Sequence, residues 1–391
     1  MFINELPDDC LLIIFDLINE LDDLLNCFKV CSKWSHLIAD RTRKVKYLIE
    51  HQDWRNDEPC LSYPFDWVYF RTGEPIDGTC LSSLFPNLMV ADFSDTFRER
   101  VKHEDIVTLI KKIKPLKGLF NPIHSDTGTV FKYCNELEMV LLKHIEPCIE
   151  KNGFNIKQLV LWNSLTIFKN HAHYFPNLER LYINNQVKPD GPYDGPISRR
   201  LKILEICSTC YDGRTRYTFY GFQFMDYCPN LQSAHIFLES DHIFVDESVK
   251  HESLQDLVLD FYRRNVEWND LKRLLTKYPN LKHLTLWHND RLENAHVEQL
   301  VRILPNLVLF VIRDSDGVTQ KADDYVQNFC KSNRRSIKFY FDENFREIHS
   351  DWPQLSTKGE KMSLGFDFVQ NCFLKHFLLL STFLIPIDES H

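Results

Sequence analysis

A small number of residues have the types and spacing that a metal site or a redox-active site would require. Cys207 and Cys210 form the sequence Cys-x-x-Cys, which supplies half of a structural zinc site or the two thiols of a redox-active disulfide. A structural zinc ion takes four ligands, and the sequence contains no second Cys-x-x-Cys pair. The pair also follows a predicted strand directly, at a place where a small buried residue is expected. We therefore interpret both cysteines as structural residues.

Other chemical motifs begin in this sequence but are not completed. His103-Glu104 and His251-Glu252 start like a zinc-protease helix, but the second histidine one turn later is missing from both. Gly73 and Gly78 have the spacing of a phosphate-binding loop, but Thr79 occupies the position where a lysine must reach the phosphates. Neither Gly-x-Gly nor Gly-x-Ser-x-Gly occurs. The sequence therefore predicts a protein without catalytic activity, cofactor or bound metal.

Composition and charge narrow the possible partners. The chain has 391 residues, of which 44% are hydrophobic and 26% charged, so it can bury a core without metal or disulfide support. Lys and Arg number 46 and Asp and Glu 55, which gives a net charge of −9. This balance disfavours a dedicated binder of nucleic acid or of an anionic membrane, because both partners select basic surfaces.

The lack of recognisable secretion signals favours an intracellular protein. The first nine residues lack the basic start and small-residue cleavage site of a signal peptide, and no Asn-x-Ser/Thr glycosylation site occurs. We expect the 12 cysteines to be reduced and the protein to be cytoplasmic, nuclear or both. The apolar run from Phe377 to Ile387 is shorter than the ~20 residues that a spanning helix needs. We expect it to form a buried or capping segment.

Residues 6–39 predict a module of three short helices. Pro7 followed by Asp8 and Asp9 indicates the first helix start, because proline suits the first helical position and acids suit the positive end of the helix dipole. Apolar residues then recur at helical spacing at Leu11, Ile14, Phe15 and Ile18, at Leu24, Cys27, Phe28 and Cys31, and at Trp34, Leu37 and Ile38. A module this small buries little surface alone and needs a partner, either in this chain or in another protein.

The same stretch carries a family pattern. Its anchors, in order, are Leu6-Pro7-Asp8, the run from Leu11 to Leu17, Asp23-Leu24-Leu25, Val30-Cys31 and Trp34. This order resembles an F-box and covers about a tenth of the chain. Many F-boxes continue with a further tryptophan after the third helix, whereas this chain has the stretch from Asp40 to Arg43 there. The alternative interpretation is an ordinary helical cap on a larger domain.

The rest of the chain repeats the phrase L-x-x-L-x-L eleven times. The copies begin 19 to 30 residues apart, near the ~20–29-residue period of leucine-rich repeats. Two degenerate earlier copies are possible near Val45 and near residues 65–70. The first apolar positions of the eleven copies are Leu88, Leu116, Leu137, Ile156, Leu178, Leu201, Leu231, Leu254, Leu281, Leu307 and Ile337.

Each repeat predicts a strand, a turn and a helix. The Leu-x-Leu alternation places two apolar residues on one face of a short strand, and the residues between copies have helical periodicity at Trp268 to Tyr278 and at Ala295 to Leu304. The predicted fold is α/β: a three-helix F-box followed by a curved leucine-rich-repeat solenoid, with parallel strands on its concave face and helices outside. The predicted domains are 1–44 for the F-box, 45–345 for the solenoid and 346–391 for a C-terminal cap or tail.

The strand positions between the leucines predict a partner-binding row on the concave face. Aromatic residues anchor protein partners well, so we expect a protein substrate to bind at Trp162, Tyr182, Phe237 and Trp287. The alternative is that the C-terminal run from Phe377 to Ile387 folds over these residues and covers them, since large apolar patches rarely remain bare.

The resemblance implies a function. An F-box followed by leucine-rich repeats is typical of a substrate receptor of an SCF-type cullin–RING ubiquitin ligase, in which the F-box binds a Skp-type adaptor and the repeats bind the protein substrate. A non-ligase interaction scaffold and an enzyme with an unrecognised site are the alternatives. An adaptor-binding face would be an uncovered apolar patch that includes Leu6, Pro7 and Leu11. The residues that match the family's anchors are Leu6, Pro7, Leu11, Ile14, Leu24, Leu25, Val30 and Trp34.

Overall fold

The structure is a computed structural model that describes residues 3–51, 66–113, 115–121, 131–145, 147–186, 189–209 and 216–387. The chain divides into two compact units, Met1–Ile156 and Lys157–His391. The domain boundaries predicted after residues 44 and 345 stay a prediction. In the described part of the chain, no helix combines the length and the apolar character that crossing a membrane requires.

The first unit begins with the three predicted helices, α1 (Asp8–Asp16), α2 (Leu21–Phe28) and α3 (Ser32–Thr42). Pro7 precedes α1, and Asp8 and Asp9 lie in its first turn as the sequence predicts. The Phe15 ring packs edge-on against Trp34, with ring centroids 5.0 Å apart. The buried residues that form the core of this module are Leu11, Phe15, Leu21, Leu24, Leu25, Leu37 and Ile38.

Five parallel strands follow the helices in the first unit. They lie in the order β5-β4-β3-β1-β2, so the second strand along the chain lies outside the first one. Both degenerate copies are therefore strands, but the chain returns to the far side of β1 before the regular repeats begin. The strands are β1 (Tyr47–Glu50), β2 (Trp67–Phe70), β3 (Val90–Asp92), β4 (Gly118–Asn121) and β5 (Met139–Leu142), and the helices among them are Leu81–Leu84, Asp95–Arg100 and His103–Lys112.

The second unit contains a sheet of eight parallel strands in the order β15-β14-β13-β12-β10-β8-β7-β6. Two smaller parallel pairs accompany it, β9 (Thr218–Phe219) with β11 (His242–Ile243) and β16 (Met362–Leu364) with β17 (Phe383–Ile385). The eight strands are β6 (Gln158–Leu161), β7 (Arg180–Asn185), β8 (Ile203–Ser208), β10 (Ser233–Leu238), β12 (Asp256–Phe261), β13 (His283–Trp287), β14 (Leu309–Arg313) and β15 (Lys338–Tyr340).

All eleven L-x-x-L-x-L copies form strands of these parallel sheets, which confirms the α/β leucine-rich-repeat fold. The two helices predicted near residues 268 and 295 are Trp268–Leu275 and Asn294–Ile303. The prediction of a helix in every repeat is wrong, because the described residues between β7 and β8 and those between β10 and β12 form no α-helix. The other described α-helices of the second unit are Leu165–His171, Gly221–Asp226, Gln320–Asn333, Ile348–Asp351 and Phe368–Asn371.

The asparagine of the recurring Pro-Asn-Leu phrase joins neighbouring turns. Asn230 Nδ2 donates a hydrogen bond to the carbonyl oxygen of Arg199 at 2.7 Å, and Asn280 Nδ2 donates to that of Glu252 at 2.8 Å. Asn306 Nδ2 continues the pattern by donating to the carbonyl of Pro279 at 3.1 Å. The phrase therefore ends one helix, starts the next strand and connects the turn to the preceding repeat.

A buried ion pair also joins helical segments of the second unit. Lys277 Nζ lies 2.7 and 2.8 Å from the two carboxylate oxygens of Asp226. Both side chains are almost inaccessible to water, and burial raises the pKa of Asp226 above its ordinary value. Removing one partner of such a pair leaves an uncompensated charge in the interior.

We expect Lys277→Met to lower the free energy of unfolding by roughly 3 kcal/mol, because Asp226 would remain buried without its cation. The double variant Lys277→Met with Asp226→Leu should recover most of this loss, since neither charge then remains. Urea unfolding of the three proteins measures both changes. A double variant no more stable than Lys277→Met would contradict this explanation.

Candidate functional site

Helix α1 has a second apolar side that faces solvent. Cys10, Ile13, Ile14 and Leu17 follow the spacing i, i+3, i+4 and i+7, so they form one stripe along the helix and its C-cap. Ile13 is 65% exposed and Leu17 71% exposed. We call these four residues the α1 face. Uncovered apolar stripes of this kind mark sites of protein association.

The eight residues predicted to bind an adaptor differ in their exposure to solvent. Pro7, Ile14 and Val30 are exposed, and Leu6 and Trp34 are half-buried. The other three, Leu11, Leu24 and Leu25, lie in the core of the module itself. An uncovered apolar patch is therefore present, but the expectation that it includes Leu11 is wrong, because that side chain packs inside the module.

Sequence reasoning missed three members of the α1 face, Cys10, Ile13 and Leu17. The signal was available, because the run from Leu11 to Leu17 is apolar at more positions than one helical stripe can use. A helix that is apolar on two sides needs two partners. The first is the core of the module, and the second is absent from this chain as far as the described residues extend.

Two buried arginines hold this region together: Arg41 joins parts of the helical module, and Arg100 joins the module to the residues that follow β2. Arg41 Nη2 donates a hydrogen bond to Asn19 Oδ1 at 2.8 Å, and its side chain is inaccessible to water. Arg100 pairs with Asp22 of α2 and donates from Nη1 to the carbonyl oxygen of Arg71 at 2.7 Å. The stretch after Ile38, where the sequence departs from the F-box pattern, thus supplies one of these arginines.

The predicted partner-binding row does share one side of the sheet in the second unit. The pairing register aligns Tyr182 with Glu205 and His235, and aligns Phe237 with Asp260 and Trp287 in the next row. We call this side the strand face. The opposite side carries the leucines and isoleucines of each repeat, which are buried in the core, among them Leu181, Ile183, Leu204, Ile206, Leu257, Leu259, Leu284 and Leu286.

The expectation that this row is exposed is wrong for most of its members. Residues 362–387, which we call the C-terminal segment, lie over the strand face. The Phe377 ring lies 4.9 Å from Tyr182 and 5.9 Å from Phe237 between centroids. The His376 ring stacks 6.3 Å from Trp287. The alternative left open by the sequence, in which the C-terminal run covers these aromatic residues, describes the observed arrangement.

Polar side chains of the strand face bind the backbone of the C-terminal segment. Gln158 Nε2 donates to the carbonyl oxygen of Leu384 at 2.6 Å, and the Leu384 amide donates back to Gln158 Oε1 at 3.0 Å. Arg180 Nη2 donates to the carbonyl oxygen of Ser381 at 2.6 Å and lies 2.7 Å from Glu205 Oε2. These buried contacts make the C-terminal segment part of the folded core.

Of the four aromatic residues predicted to bind substrate, Trp162 remains exposed. Tyr182, Phe237 and Trp287 are each less than 10% exposed, so a partner could touch them only if the C-terminal segment left. Their role in substrate binding stays a prediction. Sequence reasoning could propose the cover but could not place it, because the contacts join residues about 200 positions apart in the chain.

The chemical motifs gain no support from the structure. Cys207 is buried, and burial raises the pKa of its thiol to about 12, so it is protonated and unreactive at neutral pH. Cys210 lies outside the described residues. Among the residues that are described, no group of three His, Cys, Asp or Glu side chains is arranged to hold a metal ion.

Comparison with known proteins supports the N-terminal assignment. Residues 3–43 match the model of the F-box-like family. These residues are an F-box-like domain. The match ends at the last residues of α3 and includes the whole α1 face. No curated protein matches the chain in sequence.

Three solved structures are similar to this chain at low identity. A chain of a TLR13–ssRNA13 complex covers 77% of it at 14% identity with a TM-score of 0.44, and this chain spans 44% of that protein. A chain of the yeast Rad7–Elc1 complex covers 81% at 18% identity and a TM-score of 0.37, with 90% of its own length matched. An internalin, InlF from Listeria monocytogenes, covers 84% at 14% identity and a TM-score of 0.43, with 96% of its length matched.

Phe377 and Leu378 offer a test of the covered strand face. Phe377 is fully buried against the sheet, whereas its neighbour Leu378 is 60% exposed. We expect Phe377→Ala to lower the free energy of unfolding by about 3–5 kcal/mol, as large-to-small changes in a core do. Leu378→Ala should stay within about 0.5 kcal/mol of the parent. Equal unfolding midpoints in urea for the two variants would contradict the packing described above.

The pH dependence of stability offers a second test. Burial, together with the nearby His376, lowers the pKa of His235 from 6.5 to about 3. Between these pH values the unfolded chain binds a proton at this residue that the folded chain does not, so stability is full above pH 6.5 and falls as the pH decreases towards 3. We expect His235→Gln to flatten this fall in a profile of urea midpoint against pH. An unchanged slope would show that His235 is not the titrating group.

Proposed function

We propose that this protein is the substrate receptor of an SCF-type cullin–RING ubiquitin ligase. The α1 face carries the proposal, because it is an uncovered apolar stripe within an F-box-like domain. The partner at this face is a Skp-type adaptor, which connects the receptor to the cullin and RING subunits. The receptor itself performs no covalent chemistry in this proposal.

The physical case for a partner rests on the free energy that the free protein loses by leaving the apolar α1 face in water. Cys10, Ile13, Ile14 and Leu17 expose apolar surface that the module core does not need, because Leu11 and Phe15 already form the core contacts. Burying that surface against a partner gains about 25 cal/mol for each square ångström removed from water. Helix-in-groove recognition uses this same spacing of apolar anchors.

The receptor would act through proximity. Holding a protein substrate beside a charged ubiquitin-conjugating enzyme raises the effective concentration of substrate lysines at the thioester. In this proposal the leucine-rich repeats hold the substrate, and the complex acts in the cytoplasm, the nucleus or both. The consequence for the substrate is ubiquitination and degradation.

A structural cap is the second candidate, and one observation favours it. The helical module contacts the outermost strand of the first unit, where the Tyr69 amide donates to the carbonyl oxygen of Asn19 at 2.8 Å. A cap of this kind protects a sheet edge from pairing with other chains. Capping alone, however, gives no reason for the uncovered α1 face on the other side of the helix.

Ile13→Asp and Leu17→Asp should separate these two functions. Each places a charge in the centre of the proposed interface, so we expect affinity for a Skp-type adaptor to fall about thirtyfold or more. The free protein should keep its melting temperature, because both side chains are exposed. Co-expression with the adaptor followed by size-exclusion chromatography and calorimetry gives the measurement.

Ile197→Asp is the matched control, because Ile197 is a comparably exposed isoleucine in the second unit. We expect this variant to bind the adaptor as the parent does. A well-folded parent protein that forms no complex with the adaptor would refute the receptor proposal and favour the cap. Equal losses in all three variants would show that any added charge, rather than the α1 face, is responsible.

A further inference from the structure

With the strand face closed, an open groove remains at the amino ends of four adjacent strands in the second unit. Its volume is about 540 Å³. The described residues that line it are all polar or charged, in contrast to the aromatic strand face. They are Glu179, Arg199, Arg200, Lys202, Asn230, Gln232, Ser253 and Gln255. We call this cavity the basic groove.

The floor of the basic groove is fixed by the sheet. Glu179, Lys202, Gln232 and Gln255 each directly precede a strand, and the backbone ladder already joins them. The amide of Lys202 donates to the carbonyl oxygen of Glu179, that of Gln232 to Lys202, and that of Gln255 to Gln232, each at 2.8 Å. Neighbouring members of this row are therefore one strand spacing apart, about 4.8 Å.

The walls of the groove come from the turns before the strands, and these turns support one another. Asn230 Nδ2 donates to the carbonyl oxygen of Arg199 at 2.7 Å, and Ser253 Oγ donates to that of Pro229 at 2.7 Å. The backbone that carries Arg199 and Arg200 is thus held in place, while both residues are exposed.

The charges in the groove are unbalanced. Lys202 Nζ pairs with Glu179 Oε2 at 2.7 Å, and Glu179 is the one carboxylate among the described lining residues. Arg199 and Arg200 form no ion pair within the described part of the chain, which leaves two cations uncompensated. Two other lysines at the amino ends of strands are paired with carboxylates, Lys117 with Glu138 at 3.4 Å and Lys338 with Asp351 at 2.7 Å.

We propose that the basic groove binds an anionic segment of a protein partner, either a phosphorylated side chain or a cluster of carboxylates. Guanidinium groups form paired hydrogen bonds with both kinds of anion, and the amides of Asn230, Gln232 and Gln255 add neutral donors beside them. That this partner is a ubiquitination substrate rests on the function proposed above.

A protein segment fits the groove better than a nucleic acid does. Single-stranded nucleic acids are held by aromatic side chains on which the bases stack, and the described lining residues include none. A chain with a net charge of −9 would also repel an extended polyanion away from the groove. A short anionic segment needs only the local excess of two cations.

The proposal is tested on the full-length protein with fluorescent peptide pools of degenerate sequence. One pool has a central phosphoserine, a second has glutamates at and beside that position, and a third has an unmodified serine. Anisotropy at low ionic strength should show the phosphoserine pool, the glutamate pool or both binding at least about tenfold more tightly than the serine pool. Added salt should weaken that binding.

Variants locate the binding. We expect Arg199→Gln with Arg200→Gln to weaken anionic-pool binding about tenfold or more, and Glu179→Gln to strengthen it severalfold by removing the one opposing charge. A gain of affinity cannot result from unfolding. The control with the same change in net charge is Lys321→Gln with Lys331→Gln, on the helix Gln320–Asn333, which should bind as the parent does.

Several results would overturn the proposal. Equal binding of all three pools, or loss of affinity in the Lys321 and Lys331 control equal to that in the arginine variant, would show non-specific charge attraction. Tighter binding of a single-stranded oligonucleotide than of either anionic pool would assign the groove to nucleic acid instead. Adaptor binding measured on the same arginine variant should be unchanged. If the protein binds the anionic pools but no adaptor, the proposal for the basic groove stands and only the proposed receptor function is refuted.

Discussion

The buried ion pair between Arg180 and Glu205 ties the sheet of the second unit to the C-terminal segment. Both side chains are almost completely inaccessible to water, and burial raises the pKa of Glu205 above its ordinary value. Two charges removed from water are tolerated only when their remaining hydrogen-bonding groups find partners. For Arg180 the C-terminal segment supplies these partners, through the carbonyl oxygens of Ser381 and Thr382.

This requirement decides which surfaces remain for partners. Removing the C-terminal segment would expose the ion pair together with Phe377 and the aromatic residues beneath it, so the segment belongs to the fold and not to a loosely attached tail. The burial of Lys375 also indicates that the segment is part of the fold. Its side chain is buried near Ser363 and Ser381, and burial lowers its pKa. Partners are left with the α1 face in the first unit and, in the second, with surfaces beside the closed strand face such as the basic groove.

The strands could be predicted from sequence because their signal is local and repeated. Each L-x-x-L-x-L copy sets its own two-residue periodicity, so the register that aligns Tyr182 with His235 follows from counting. Exposure is different, because it depends on contacts between distant parts of the chain. Gln158 is hydrogen-bonded to Leu384, and no residue near Gln158 in sequence indicates this contact. The position of β2 outside β1 is non-local in the same way.

For the site residues, too, local sequence order could be recognised, whereas exposure depends on packing. The F-box anchors could be recognised by their order, but helical periodicity could not decide which side of α1 faces the module core, because the run from Leu11 to Leu17 is apolar on both sides. Packing decides it: Phe15 against Trp34 fixes the orientation, and Ile13 and Leu17 are then left in solvent.

The fastening of the helical module to its neighbouring strands matters for a receptor that works by proximity. Effective concentration depends on how narrowly the linkage between two bound partners restricts their separation. Arg100 buries its guanidinium group between Asp22 of α2 and the carbonyl oxygen of Arg71 after β2, which is costly unless those elements keep one arrangement. Under the proposed function, an adaptor bound at the α1 face would thereby be held in a fixed position relative to the strands of the first unit. In a flexible linkage the same adaptor contact would leave that position undefined.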